Sequence, residues 1–357
     1  MTSDHTHWSS IPAADMAARI RSWAIDVAAD DSPLYRILGQ GAAEDPDLVA
    51  MIAEAPRNQP APLLFMAAVH AVVADNPDEA LAAWYPSVSG HEMAGGDPAP
   101  AFRDFCLRYR AELVHLVRTR RVQTNEVGRC ALLLPAFQVV ASMAALPLAI
   151  IEVGCSAGLN LRFDDYRYHY KSAAGTVVAG RAGSDVAIDC RLVGEIPPLL
   201  ETTPSVVSRV GLELNPVDVT DSSDEAWIRA LIWPDQPERH RRLAAALQRA
   251  ATDPPPIVAG DALTDLAPLA AGLPREAAVC VVHTHLVNQL SPAGRQAFDD
   301  VLRTLSQGRP VYRIASEWLR TPAPVLDLTV YDQGTGSNIP LGTADKHGAW
   351  LDWFGVE

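Results

Sequence analysis

IIEVGCSAGLN, residues 150–160, is the stretch that decides how the rest of the chain is read. An apolar run ends on Glu152, and the backbone then passes through Gly154, Ser156 and Gly158. The pattern predicts a strand, a loop of small residues and a helix start. Glycine and serine let the main chain turn sharply and approach a ligand closely, and the N–H groups of a helix start face whatever lies there. A ligand-binding loop is expected here.

Three chemistries use loops of this kind. A dinucleotide fold needs Gly-x-Gly-x-x-Gly, and the spacing here differs. Gly154-Cys155-Ser156-Ala157-Gly158 fits the Gly-x-Ser-x-Gly nucleophile elbow of hydrolases, and Asp261 and then His283 or His285 follow Ser156 in the triad order of that fold. The stretch also resembles motif I of class I S-adenosylmethionine-dependent methyltransferases, acidic-x-Gly-x-Gly-x-Gly. Glu152, Gly154, Ser156 and Gly158 carry that resemblance, with serine in place of the middle glycine.

Outward from this loop the texture changes. Before Leu148, apolar residues recur at three- and four-residue spacing over 14–30, 46–54, 61–74, 100–120 and 129–145, which predicts helices and no strand. After it, β-branched runs near 148–153, 206–213, 256–259, 278–284 and 310–316 alternate with helical stretches at 224–233, 237–250 and 292–306, as in a mostly parallel sheet. YRYHYKSAAGTVVAGRAGSDVAIDC, within an insertion near 165–200, reads as hairpin-like and is expected over the sheet's edge or top. VLDLTVYD (325–332) and AWLDWF (349–354) read as two closing strands, antiparallel at one edge. The expectation is an α/β protein with a helical N-terminal domain, 1–145, serving as lid or substrate domain, and a cofactor-binding domain, 146–357.

Composition narrows the function. A formal net charge of −14 opposes the phosphate neutralisation on which nucleic-acid binding depends. The five cysteines form no Cys-x-x-Cys pair, which predicts neither a disulfide framework nor a zinc site and suggests a reducing cytoplasm. MTSDHTHWSS lacks the basic and apolar regions of a secretory signal. Residues 130–151 approach the length of a membrane span without a charge, but Pro135, Gln138, Ser142 and Pro147 favour a buried helix that stops before a strand.

A hydrolase builds several strands before its elbow and carries an oxyanion segment upstream; nothing before residue 148 reads as either. The methyltransferase reading places the loop on the first strand and predicts acidic residues at later strand ends. Glu213, in SRVGLELNPVD, would accept from both ribose hydroxyls, and Asp261, in PIVAGDAL beside Ala262, from the adenine amino group. The cofactor set is thus Glu152, Gly154, Cys155, Ser156, Gly158, Asn160, Glu213, Asp261 and Ala262. Each acidic member has a plainer use as a helix cap or solvated loop residue, and Cys155 reads first as a packing residue.

AVCVVHTHLVNQL ends a strand at His283, Thr284 and His285, where strand alternation puts the two histidines on one side. His285 is the candidate base and His283 its companion; a structural pair is the competing reading, and no third ligand suggests a metal. Gln123, Asn125, Glu126 and Arg129 are polar for a segment that runs into a buried helix, and are read as substrate contacts or the crevice mouth. Tyr166, Tyr168 and Tyr170 alternate on one face, as a core stripe first and a stacking surface, led by Tyr166, second. The Asn/Asp-Pro-Pro-aromatic motif of methyltransferases that act on the amino groups of bases is absent.

VQTNEVGRCALLLP (122–135), EVGCSAGLNL (152–161), DDYRYHY (164–170), LNPVDVTD (214–221), WIRALIWPDQPER (227–239) and GDAL (260–263) resemble a bacterial family, domain of unknown function 2332. QTNEVGR is the most specific string. The resemblance implies a Rossmann-like class I methyltransferase sheet and S-adenosylmethionine as cofactor, without a particular reaction. A methyltransferase acting on a small molecule is therefore expected, with no membrane or nucleic-acid partner. A non-catalytic ligand-binding protein of the same fold and a serine hydrolase using Ser156 are the alternatives.

Overall fold

The computed structural model describes residues 7–28, 31–198, 203–319 and 321–355. Its first helices are α1 (Ala13–Asp26), α2 (Pro33–Glu44), α3 (Pro46–Ile52), α4 (Ala61–Asp75), α5 (Pro86–Ser89), α6 (Ala99–Arg108) and α7 (Arg110–Thr119). Local chemistry sets their starts: Ser32 accepts the Tyr35 N–H ahead of Pro33, and Asp45 accepts the N–H groups of Asp47 and Leu48 ahead of Pro46. The stretch 100–120, expected as one helix, is two, because Tyr109 (φ −97°, ψ 18°) leaves helical geometry between α6 and α7. The α2 helix is not among the expected elements. Apolar all round, α4 is buried all round, as a central helix must be.

Helix α8 (Cys130–Ala144) leads into β1 (Leu148–Val153). There follow β2 (Arg167–Ser172), β3 (Gly175–Gly180), β4 (Ala187–Gly194), β5 (Val206–Glu213), α9 (Ser222–Ala230), α10 (Pro237–Thr252), β6 (Ile257–Ala259), α11 (Ala262–Ala271), β7 (Ala278–Thr284), α12 (Pro292–Leu305), β8 (Val311–Glu317), β9 (Val325–Asp332), β10 (Thr335–Ala344) and β11 (Trp350–Trp353). The protein is thus mixed α/β, with helices and a large, mostly parallel sheet.

The chain divides into a helical unit, 1–124 with 221–241, and a sheet unit, 125–220 with 242–357. In the helical unit, Trp227, Leu231 and Trp233 join the core built around α4. In the sheet unit lies α8, read above with the N-terminal helices; it packs on β4, β7 and β8, which cover its apolar surface. By length and composition, Val127–Ala144 would span a membrane, but 78% of it is buried inside the protein, as expected of a core helix.

The strands form one sheet in the order β3-β2-β4-β11-β10-β9-β8-β7-β1-β5-β6. From β1 the chain builds outward to β5 and β6 on one side and to β7 and β8 on the other, all parallel. Every residue of β1 is buried, which accounts for the apolar run that leads to Glu152. Ala149, Ile151 and Val153 share a core with Leu266 of α11 and with Phe298 and Leu302 of α12. By alternation, Ile150 and Glu152 take the other face.

Two expectations about the sheet need correction. The insertion does not hang over the sheet but extends it: β2 and β3 form an antiparallel hairpin, and β4 pairs in parallel with both β2 and β11. The tail contributes three strands rather than two, and its last strand is internal. The missing one, β10, has the poor strand composition TGSNIPLGTA, and its proline sits at a register shift between Pro340 and Gly342, where a lost ladder bond is tolerated.

Candidate ligand site at the carboxyl edge of the sheet

The strand order reverses at β1, and open α/β sheets bind ligands at the carboxyl ends of the strands at such a point. The loop after β1 passes through three left-handed residues, Gly154 (φ 72°), Ser156 (φ 54°) and Gly158 (φ 69°). No α-helix follows. Leu159–Asp165 is a short 3-10 helix, kinked at Arg162, so the expected α-helical N-terminus is not formed.

The loop's amides are held by the protein's own acceptors. Ser156 N–H donates to Glu213 Oε2 (2.9 Å) and Leu159 N–H to Asn125 Oδ1 (2.9 Å). A Cβ on Gly158 would stand 2.9 Å from Pro255, and one on Gly154 3.0 Å from Leu286, so both glycines are required by close packing as well as by φ. Gly154 itself is exposed, as are Leu214 and Asp261 beyond β5 and β6.

Glu213 is buried, and its other oxygen accepts the Asn215 N–H (3.1 Å), so it braces the loop. Asp261 is the N-cap of α11, accepting from Leu263 N–H, with Ala262 the first helical residue. Glu152 is 2% exposed; its Oε1 accepts from Asn160 Nδ2 (3.1 Å), while Oε2 has no hydrogen-bond partner within the protein. Burial lifts its pKa to about 8 against the pull of Asn160 and Arg129, with Glu213 adding to the rise. Cys155 is fully buried, and a Cβ on Gly211 of β5 would lie 2.3 Å from its sulfur; burial raises its thiol far above neutrality. It is a packing residue. Ser156 is 4% exposed, little suited to the nucleophile of an open elbow.

The residues preceding α8 meet this loop from beneath. Asn125 holds Leu159, Glu126 accepts from Gly128 N–H and pairs with Arg242 (3.4 Å), and Cys130 Sγ lies 3.4 Å from Asn160 Oδ1. Arg129 donates to Lys346 O (2.9 Å) and Thr284 Oγ1 (3.2 Å). Gln123 is half-buried and falls at the end of the helical unit. Tyr166 offers no stacking face: Tyr166, Tyr168 and Tyr170 are fully buried, donating to the carbonyls of Leu159, Phe163 and Ala131. The core stripe is the reading that holds.

The two histidines differ in their surroundings. His283, fully buried, closes on Glu317 Oε1 (2.7 Å) through Nδ1 and stands edge-on to Phe298. His285 lies past the strand end at φ 53°, which breaks the alternation, and its Nε2 is buried with no partner in the protein. Burial, Arg129 and Lys346 push His285 down to about 3, against the opposing charge of Glu317, so its ring is neutral at physiological pH. Glu317 was missed from sequence, although it ends β8 as Glu213 ends β5, and the same strand-end rule would have found it. Burial alone would raise Glu317, but His283 and the amides of Leu286 and Val287 hold it below the ordinary carboxylate range.

Among the described residues no group of histidine, cysteine or acidic side chains is arranged to hold a metal. A surface hollow lined by Asp165, Arg181 and Arg249 contains none of the expected site residues. The model of a family described as uncharacterised protein conserved in bacteria (DUF2332) matches residues 17–353. The chain belongs to this family. Within the DUF2332 match fall Asn125, Arg129, Glu152 and the loop they frame, so the strings that mark the sequence also meet in space. No curated protein matches the chain.

Proposed function

We propose that the protein is an S-adenosylmethionine-dependent methyltransferase of Rossmann-like, class I type, acting on a small molecule in the cytoplasm. One observation carries the reading: five parallel strands ordered β6-β5-β1-β7-β8, the 3-2-1-4-5 order of doubly wound folds, with the glycine loop on the first of them. The fit of a nucleoside ligand is on the outer side of the loop. There Gly154, Leu214 (67% exposed) and Asp261 are accessible, while Glu213 shapes the loop through the Ser156 amide. Bound there, the cofactor would supply an activated methyl group. The chain's part is to hold the acceptor, exclude water and take up its proton. His285 is the candidate for the last role, with Nε2 not engaged within the protein. Burial, Arg129 and Lys346 keep its ring neutral and weaken it as a base, so the acceptor's own acidity must share the work. Five free, buried cysteines agree with a reducing compartment, and the net charge of −14 with an acceptor other than nucleic acid.

Calorimetry tests this reading. Binding of S-adenosylmethionine or its demethylated product is expected; no heat of binding at millimolar ligand, by a folded sample, would sink it. A second reading, a non-catalytic ligand-binding protein, draws on Glu213, whose two oxygens already accept two amides of the chain. Cofactor binding without turnover over a broad acceptor panel, unchanged by His285→Ala, would favour it.

A further inference from the structure

We propose that the sheet unit carries a built site for a small-molecule carboxylate, formed by Arg129, Glu152, Thr284, His285 and Ser316 at the carboxyl ends of β1, β7 and β8. Three polar atoms of these side chains, Glu152 Oε2, His285 Nε2 and Ser316 Oγ, are shielded from solvent and have no hydrogen-bond partner within the protein, as is also true of His283 Nε2 on β7 and Glu317 Oε2 on β8. Glu152 and Ser316 are only 2% and 1% exposed. A buried polar atom left unsatisfied carries a desolvation penalty, so several in one neighbourhood mark a place made for a hydrogen-bonding guest.

Arg129 ties the group together. Its Nη1 donates to Thr284 Oγ1 (3.2 Å), its Nε is fixed on Lys346 O (2.9 Å), and its charge acts on both Glu152 and His285. Thr284 is the register partner of Ser316, whose carbonyl accepts the His285 N–H (3.0 Å). Beside Arg129, each of these side chains has a proton to donate at neutral pH. Ser316 offers its hydroxyl, His285 one ring N–H, and Glu152 the acid proton that burial keeps on it. Facing Glu152 are Cys130, Cys155 and Tyr166, all kept neutral by burial, and Glu213, which is bonded to the Ser156 and Asn215 amides. Facing His285 are Lys346 and Glu317, the latter bonded to His283 and the Leu286 N–H.

The Arg129 guanidinium among these neutral donors, with the opposite charges of Lys346 and Glu317 offsetting each other beside His285, suits a monoanion with planar oxygens, that is a carboxylate, better than a phosphate dianion. The solvent side is the β7–α12 loop, where Thr284 to Val287 are half-buried and Asn288 and Gln289 exposed. Assigning the carboxylate to the methyl acceptor rests on the methyltransferase reading; the binding itself does not.

The test uses the full-length protein without S-adenosylmethionine, so its failure leaves the cofactor calorimetry untouched, and the reverse. Acetate, propionate and benzoate are titrated at pH 7 against acetamide, propionamide and benzamide, with saturation-transfer NMR as readout. At least one carboxylate should bind saturably, with its amide about tenfold weaker or worse, the loss expected when a charged hydrogen-bonded group is replaced. Ser316→Ala should weaken the carboxylate by about threefold to tenfold, as for one lost hydrogen bond. Glu152→Gln keeps a donor at every pH, so it should retain at pH 9 an affinity that the unaltered protein loses. Binding of no carboxylate by the folded protein, equal binding of amides, or affinities unmoved by Ser316→Ala and a pH profile unmoved by Glu152→Gln would each overturn the assignment.

Discussion

Glu152→Gln tests the electrostatics on which the site depends, through stability alone. The carboxyl group is fully enclosed, and its pKa rises from the ordinary 4.5 to about 8, chiefly through burial. Folding therefore takes up a proton between these values. The stabilisation is complete below pH 4.5, erodes as pH rises and is lost by about pH 8, where the folded state too must carry the buried charge. Each pH unit inside the window is worth about 1.4 kcal/mol, on the order of 5 kcal/mol across it. Glutamine is nearly isosteric, still accepts from Asn160 and does not titrate. Urea denaturation from pH 5 to 9 should give a variant at or slightly below the unaltered protein at pH 5, and more stable by several kcal/mol at pH 8. Subtracting the two profiles removes every other titrating group. A difference that stays constant with pH would refute the raised pKa and, with it, Glu152 as a proton donor at neutral pH.

Gly128→Ala should destabilise severely, on the order of 3 kcal/mol or more, because a Cβ there would lie 2.2 Å from His347 O, and a chemical denaturation midpoint would register it. Glu317→Ala removes the acceptor of His283 and of the Leu286 N–H at once; a loss of about 2–4 kcal/mol, with faster hydrogen exchange at Leu286, is expected, and unchanged exchange would count against its role as anchor of the β7–α12 loop. Asp261→Ala removes the α11 cap and should cost about 1 kcal/mol by thermal unfolding; any further loss of cofactor affinity measures what its exposed carboxylate adds beyond capping.

What could be read from the sequence was whatever hydrophobic periodicity encodes. The strands β1 and β7 announced themselves because parallel strands buried on both faces are rich in apolar residues, as LAII and AVCVV are, while β5, β6 and β8 were legible from short β-branched runs between helical stretches. β10 did not, since its glycines and Pro340 are tolerated only through a register shift that depends on β9 beside it. The placement of β2, β3 and β4 at the sheet's far edge is a non-local pairing with β11, which no local pattern records. In the site, residue types were legible and their partners were not. Strand alternation was the ground for pairing His283 with His285, but β7 ends at Thr284 and residue 285 is left-handed, so that rule does not reach it. Asn125 and Glu213 were singled out as polar residues, and the structure shows both accepting from the chain's own amides, partners that no sequence pattern records.

That inward use bears on what the loop is for. Ser156 stands in left-handed geometry, which costs a non-glycine residue roughly 1–2 kcal/mol. Asn125, Glu126, Glu152, Asn160 and Glu213 are all buried polar residues at most 8% exposed, each an additional desolvation cost. A loop needed only to join β1 to the next element would be cheaper with apolar contacts and relaxed backbone. Strain that surrounding hydrogen bonds over-determine is the mark of a shape held ready for use. The amides those bonds consume lie on the inner side, while Gly154 and the neighbouring Leu214 and Asp261 remain exposed on the outer side. In the proposed cofactor-binding reading the frame and the binding surface are opposite sides of one loop, and substitutions in Asn125 or Glu213 should alter ligand affinity through the loop's shape, in step with stability, whereas those at Asp261 should separate the two.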